Sequence, residues 1–246
     1  MSEREILTHS SDDALAAAVA GRLVAHLAAA QAAGRRPDVG LTGGTVAAKI
    51  HEAVVTASEG HDDVDWSRVG FWWGDERYVP ADDAERNARQ ARQTMLDRLD
   101  VDPRRVHEMP ASDGPHASVE EAAQAYADEV RAHGEGDFEV LMLGVGPDGH
   151  VASLFPGSSQ LDARDAIAVA VTDSPKPPPE RITLTYEALN RSREVWFVVS
   201  GEGKADAVAK ALADGTDRHD IPAAGVQGTE RTVWFLDEGS ASRLSP

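Results

Sequence analysis

Short, continuously apolar runs recur along this chain, among them GFWW at 70–73, VLML at 140–143, VWFVV at 195–199 and VWFL at 233–236. A strand with one wet face alternates apolar and polar side chains. A strand that is apolar throughout must be covered on both faces. Longer segments with helical spacing separate the runs. Strands alternating with helices imply a mostly parallel sheet between two helical layers, a three-layer αβα sandwich of Rossmann-like, α/β type. Ligands of such sheets bind outside the carboxyl ends of the strands. The loops leaving the strands therefore carry the functional argument: LTGGT, WGDERYVP, GVGPDGHVAS and SGEGKA.

The remaining segments fill in the layers. Residues 12–33 are alanine-rich, with Leu15, Val19, Leu23 and Leu27 on one helical stripe, Ser10 or Ser11 to cap the start and Gly34 to end it. TVAAKIHEAVVTA, AERNARQARQTMLDRL, SVEEAAQAYADEVRAH and GKADAVAKALA read as further helices, the third opened by a Ser118–Glu121 capping box. RRVHEM reads as a short strand. AIAVAVTD and RITLTY flank SPKPPPE, which is too short for a linker, so a single domain over residues 1–246 is expected. The start of the chain is charged and polar and lacks the apolar core of a secretory signal. No stretch reads as approaching the roughly 20 apolar residues of a membrane span. Cysteine is absent, which removes disulfides and thiol chemistry. Together these point to a cytoplasmic chain with no membrane partner.

Charge narrows the ligand. With 42 acidic and 24 basic residues the formal charge is −18. That field repels nucleic acid and anionic membranes. An anionic small molecule would need a local cluster of cations to overcome it.

The strand-end loops offer such a cluster. Gly43-Gly44-Thr45 leads from a strand into a helix, where glycine lets backbone approach a ligand and free N–H groups favour an anion; an ordinary βα turn would look the same. It is neither a Walker loop nor a GxGxxG fingerprint. Asp75, Glu76 and Arg77 follow an aromatic strand. Arg77 can fork onto a phosphate and Asp75 can serve as base or orienter, or the loop is simply solvated. Lys204 opens a helix, where a cation opposes the dipole and so hints at a nearby anion. Arg181 is a further anion ligand or a strand-end charge. His150 has the side chain suited to proton transfer near neutrality, and Asp148, two residues earlier, can fix its tautomer if the turn brings them together. His107 and His133 have no ligand spacing to His150, so a metal is discounted there. A GxSxG nucleophile elbow is absent from the sequence.

Four ordered motifs, WWGDERYVP with Asn87 downstream, LGVGPDGHVASLFPG, PPPERITLTYEALN and VSGEGKADAV, resemble the 6-phosphogluconolactonase family, within the wider group that includes glucosamine-6-phosphate isomerases. The likeness runs from LTGG to IPAAGV. It implies hydrolysis of 6-phospho-D-glucono-1,5-lactone to 6-phosphogluconate in the oxidative pentose phosphate pathway, without metal, nucleotide or other cofactor. The histidine of the family's GxDGH motif, here His150, would be the general base and Asp148 its orienter. Arg77, Lys204, Arg181 and the Gly43–Thr45 turn would hold the phosphate, with Asp75 beside them. The family often has Ser-Thr-Pro after the two glycines, whereas this chain has Thr45-Val46-Ala47, which weakens side-chain help from that loop. Two alternatives stand beside this reading. One is a sugar-phosphate isomerase or deaminase of the same fold, against which LFPG and Asp75-Glu76-Arg77-Tyr78 speak, because those relatives typically read FNEPG and DEY. The other is a non-catalytic sugar-phosphate sensor, against which the absence of a helix-turn-helix segment speaks. The expected assembly is a monomer or weak homo-oligomer, and no nucleic-acid partner is expected.

Overall fold

The computed structural model describes residues 3–59, 63–133 and 137–244. In chain order its strands are β1 Glu3–His9, β2 Asp38–Leu41, β3 Gly70–Trp73, β4 Asp75–Arg77, β5 Val140–Leu143, β6 Ala168–Val171, β7 Arg181–Leu184, β8 Glu194–Val199 and β9 Arg231–Asp237. The helices are α1 Asp12–Ala32, α2 Thr45–Ser58, α3 Asn87–Thr94, α4 Val119–Ala132, α5 Tyr186–Leu189, α6 Ala205–Leu212 and α7 Glu238–Ala241. Among the described residues, one six-stranded sheet has the order β1-β9-β8-β5-β2-β3 and is parallel throughout. β3, β5 and β8 are buried at every position, as their apolar runs require, with Glu194 at the start of β8 buried as well. Connections from β1 to β2 to β3 run toward one edge, and those from β5 to β8 to β9 run toward the other. With right-handed crossovers, the two directions place their helices on opposite faces.

The chain therefore reverses its winding between β2 and β5, which pair directly. At such a switch point the loops leaving the two strands diverge and open a crevice. The loops concerned are Thr42–Gly44 and Gly144–His150.

Several elements differ from the sequence reading. The polar start contains β1, a two-sided edge strand lying parallel to β9 in register Glu3↔Arg231 to His9↔Asp237. Its alternating side chains, with Ile6 exposed, hid it behind a charged composition. RRVHEM forms a 3₁₀ turn at Pro103–Arg105 and a single parallel bridge, Val106↔Phe71, instead of a strand. The helix expected over AERNARQARQTMLDRL is only α3 followed by a 3₁₀ turn. Only half of the expected capping box forms: Ser118 Oγ accepts from Glu121 N–H at 3.3 Å, while the Glu121 carboxylate accepts from Ala117 N–H.

α1 is long and apolar enough, by length and composition, to cross a membrane, with a mean hydropathy of 1.4. The expectation that no stretch comes near that threshold is thus corrected. Alanine supplies much of this hydropathy, and Leu15, Val19, Leu23 and Leu27 are fully buried where the helix packs on α2 and β9.

The largest departure concerns WGDERYVP. Residues 75–77 are not a solvated loop but β4, which pairs antiparallel with β7, itself paired with β6. This second, three-stranded sheet stands over the carboxyl end of the main one, because only Gly74 separates β3 from β4. It carries three of the candidate side chains, Asp75, Arg77 and Arg181, with Arg77 and Arg181 directly opposite each other in register.

Candidate active site

A cavity of about 360 Å³ lies at the β2/β5 switch point. Of the residues singled out from sequence, Gly43, Gly44, Thr45, Asp75, Arg77, His150, Arg181 and Lys204 all line it. Asp148 does not line it but lies behind His150. The topology thus gathers groups that are far apart along the chain.

His150 is set by its own loop. Gly149, at φ +85°, turns the chain in the left-handed region that suits glycine, and the ring comes to rest 4.7 Å from the Phe155 ring. His150 Nδ1 lies 2.5 Å from Asp148 Oδ1. Burial alone would raise the Asp148 carboxyl, but the hydrogen bond with His150 and the charges of His150 and Lys176 hold it well below the usual carboxylate range. An ionised carboxylate can only accept, so the proton belongs on Nδ1 and the lone pair is left on Nε2. Lys176 Nζ, 3.2 Å from the same Oδ1, donates to the carboxylate and abuts Nδ1 at 3.1 Å. Gly146 makes this pairing possible, because a Cβ there would collide with both the His150 ring and the Asp148 carboxylate.

The cations sit around the same space. Arg77 donates to Asn87 Oδ1, and its Nε is buried without a hydrogen-bond partner among the described residues. Such an orphaned donor is costly unless a ligand satisfies it. Asn87 is oriented in turn by donating to Asp75 O at 3.0 Å, and a Cβ on Gly43 would strike its side chain. Glu76, 1% exposed, points away from the cavity and accepts from the N–H groups of Arg77, Asn87 and Ala88, each at 2.8 Å. It thereby caps α3 and fixes both Arg77 and Asn87. Burial raises its carboxyl, with Arg86 and these donors opposing.

Arg181 is buried, and that burial lowers its affinity for its proton. It donates to the carbonyls of Lys176, Pro177 and Pro178 at 3.1–3.2 Å. It therefore lines the cavity and also clamps the proline loop that delivers Lys176 to Asp148. Lys204 Nζ donates to Val145 O at 2.8 Å, tying the α6 entrance to the His150 loop, and burial lowers its pKa. Asp75 accepts from Ser153 Oγ at 2.6 Å, so one of its oxygens is committed to holding the loop after His150. The α2 N-terminus faces the cavity with no side-chain cap and no acidic residue in its first turn, although Gly44 N–H is already given to Gln90 at 3.0 Å.

Sequence reasoning missed Lys176, Ser153 and Gln90, and it noted Asn87 without assigning it a place. Lys176 lies in SPKPPPE, a segment that reads only as a connection. The signal available was a lone cation in a stiff loop between two strands.

The arrangement offers a tautomer-fixed imidazole, a buried Arg181 beside the half-buried Arg77 and Lys204, and little negative charge beyond Asp12 and Asp75. It suits proton transfer on a phosphorylated small molecule. Comparisons with known proteins agree. The family model described as glucosamine-6-phosphate isomerases/6-phosphogluconolactonase matches residues 10–234. The chain is 45% identical to a 6-phosphogluconolactonase of Streptomyces coelicolor over 98% of this chain and 94% of that one. It is 46% identical to one of Mycobacterium tuberculosis over 94% and 95%. Among solved structures it is similar to a 6-phosphogluconolactonase from Thermotoga maritima, with a TM-score of 0.81, 28% identity and coverage of 96% and 100%.

Proposed function

The chain belongs to the glucosamine-6-phosphate isomerase/6-phosphogluconolactonase family, and on that premise we propose that it is a 6-phosphogluconolactonase, a lactone hydrolase acting on 6-phospho-D-glucono-1,5-lactone. The observation that carries the residue assignment is the His150–Asp148 pair, held with its Nε2 lone pair available in a cavity lined by Arg77, Arg181 and Lys204.

In this reading the phosphate lies against Arg77, whose unpartnered Nε supplies a donor, and the open first turn of α2. Anchoring the phosphate places the lactone carbonyl near His150 and converts a bimolecular encounter into an oriented one. His150 Nε2 removes a proton from water as the water oxygen bonds to C1. Asp148 stays ionised and stabilises the imidazolium that forms. The C1 oxygen becomes an oxyanion, which the glycine-loop N–H groups stabilise, while Lys204 joins Arg77 in holding the phosphate. As the tetrahedral intermediate collapses, the bond from C1 to the ring oxygen breaks and His150 returns its proton to that oxygen. The products are the C5 hydroxyl and a carboxylic acid, which ionises. No other group needs to change its protonation state.

The test is turnover of freshly prepared lactone, with 6-phosphogluconate read by coupled NADP reduction and the spontaneous rate subtracted. We expect His150→Ala to lower kcat by roughly 10²-fold or more, the usual size of a general-base effect. A variant with near-normal kcat would remove His150 from this role. Ammonia released from glucosamine-6-phosphate by the unaltered chain would overturn the choice of reaction.

A further inference from the structure

A second cluster of titratable side chains lies away from the cavity. His107 follows the 3₁₀ turn at Pro103–Arg105 and is held beside β3 by its N–H bond to Phe71 O at 2.9 Å. Its ring stacks on the Trp72 indole with centroids 3.8 Å apart and planes 9° apart, and the residue is 8% exposed. Its Nδ1 lies 2.7 Å from Glu129 Oε1. Glu129 and His133 are four residues apart at the carboxyl end of α4 and so share one face. His133 Nδ1 is 3.6 Å from the same carboxylate oxygen. Donor atoms of His107, Glu129 and His133 all lie within 4.8 Å of one another.

We propose that His107, Glu129 and His133 form a zinc-binding site at the amino-terminal edge of the main sheet, separate from the lactone cavity. Two imidazoles and a carboxylate are a donor set that zinc accepts, with water completing the tetrahedron. Donors about 2.1 Å from a tetrahedral zinc stand about 3.4 Å apart. The separations here straddle that value; His133 Nδ1 also donates to Glu129 O at 2.9 Å, so closure requires the His133 ring to rotate and give up that bond or to offer Nε2. His107 is the rigid anchor, fixed by Trp72. Glu129 and His133 are roughly half exposed, which leaves the ion an entry path. The surrounding field is favourable. The α4 carboxyl end attracts a cation, and the Asp38 carboxyl interacts with both histidines. The nearby Arg105 guanidinium is already paired with Asp38 at 3.0 Å. The ion would cross-link the segment after Pro103–Arg105 to the end of α4. It would act on stability and leave the chemistry alone.

Isothermal titration of zinc chloride into the chelator-treated full chain tests this without reference to turnover, so its outcome is independent of the lactonase assignment. One zinc per chain is expected, with an upward shift of the thermal midpoint as zinc is added. The Glu129→Gln/His133→Gln double variant should weaken binding by at least roughly tenfold, the lower bound even for loss of outer-shell partners. His150→Ala should bind zinc unchanged. In the unaltered chain, cobalt(II) should give the visible absorption of a low-coordinate site and quench tryptophan emission through Trp72, and both signals should vanish in the double variant. Because the two substituted side chains are exposed, lactone turnover and circular dichroism of the variant report that it folds. Absence of stoichiometric binding, or binding that survives the double substitution, would overturn the proposal.

Discussion

Replacing Asp148 by Asn probes the catalytic reading most sharply, because it keeps the shape of the side chain and inverts its hydrogen-bonding. In the native loop Asp148 Oδ1 accepts the Nδ1 proton at 2.5 Å, which leaves Nε2 basic. An Asn in that place can turn its NH₂ toward Nδ1, and Lys176 Nζ already stands 3.1 Å from Nδ1 as a second donor. Both now favour a lone pair on Nδ1 and a proton on Nε2, so the imidazole faces the cavity with nothing to accept. The imidazolium of the transition state also loses its counter-charge. Loss of an effective general base lowers kcat by roughly 10²- to 10⁴-fold, or about 2.7–5.4 kcal/mol of transition-state stabilisation. Asp148 does not line the cavity, so KM should stay within about threefold; the effect is one of chemistry rather than uniform binding. The assay is initial-rate turnover corrected for spontaneous hydrolysis, joined to ¹⁵N spectra of the His150 ring, which should show the proton move from Nδ1 to Nε2. A variant with kcat within about threefold of the parent, or with the tautomer moved and the rate unchanged, would refute the reasoning.

Three further outcomes are expected. Gly146→Ala should fold with near-parental circular dichroism yet lose most of its kcat, because the added methyl displaces the His150–Asp148 pair; retained activity would show that the pair tolerates displacement. Arg77→Ala and Lys204→Ala should mainly raise KM, each by roughly 10-fold or more for loss of a charge-assisted bond, and an unchanged KM in both would remove their role in holding the phosphate. His51, fully buried against Thr94 at 3.0 Å, has its pKa pushed by burial from 6.5 down to about 4. The unfolded chain therefore binds a proton there that the native chain refuses, and stability falls as pH drops from about 6.5 to about 4. Denaturant titrations should show this slope flattened in His51→Gln, and an identical slope would dismiss His51 as its source.

How much could be read from the sequence varied with the range of the interactions involved. Unbroken apolar runs such as VLML can only be buried strands, so the parallel sheet and its ligand edge followed directly, and with them most of the cavity lining. β1 was hidden because an edge strand with alternating exposure looks like a polar terminus. β4 was hidden because Asp75 and Glu76 are charged, and their burial depends on donors supplied by Ser153, Asn87 and Ala88, distant in the chain. Lys176 was invisible for the same reason: its contact with Asp148 spans two loops and rests on Arg181 holding the proline segment. The His107–Glu129 contact likewise joins residues that no ligand spacing links. Local patterns reported elements, whereas partners chosen by topology did not show.

The register of the small sheet has a consequence for the lifetime of the protein. Arg77 and Arg181 face each other across β4 and β7, and like charges directly opposite on an antiparallel pair repel. On the proposed reading a phosphate group held between the two guanidiniums relieves this repulsion, and its binding adds RT ln(1 + [L]/Kd) to the free energy of unfolding. On that reading, protection of the chain from unfolding rises with the concentration of a phosphorylated ligand, and so does its resistance to a protease that cuts only the unfolded chain.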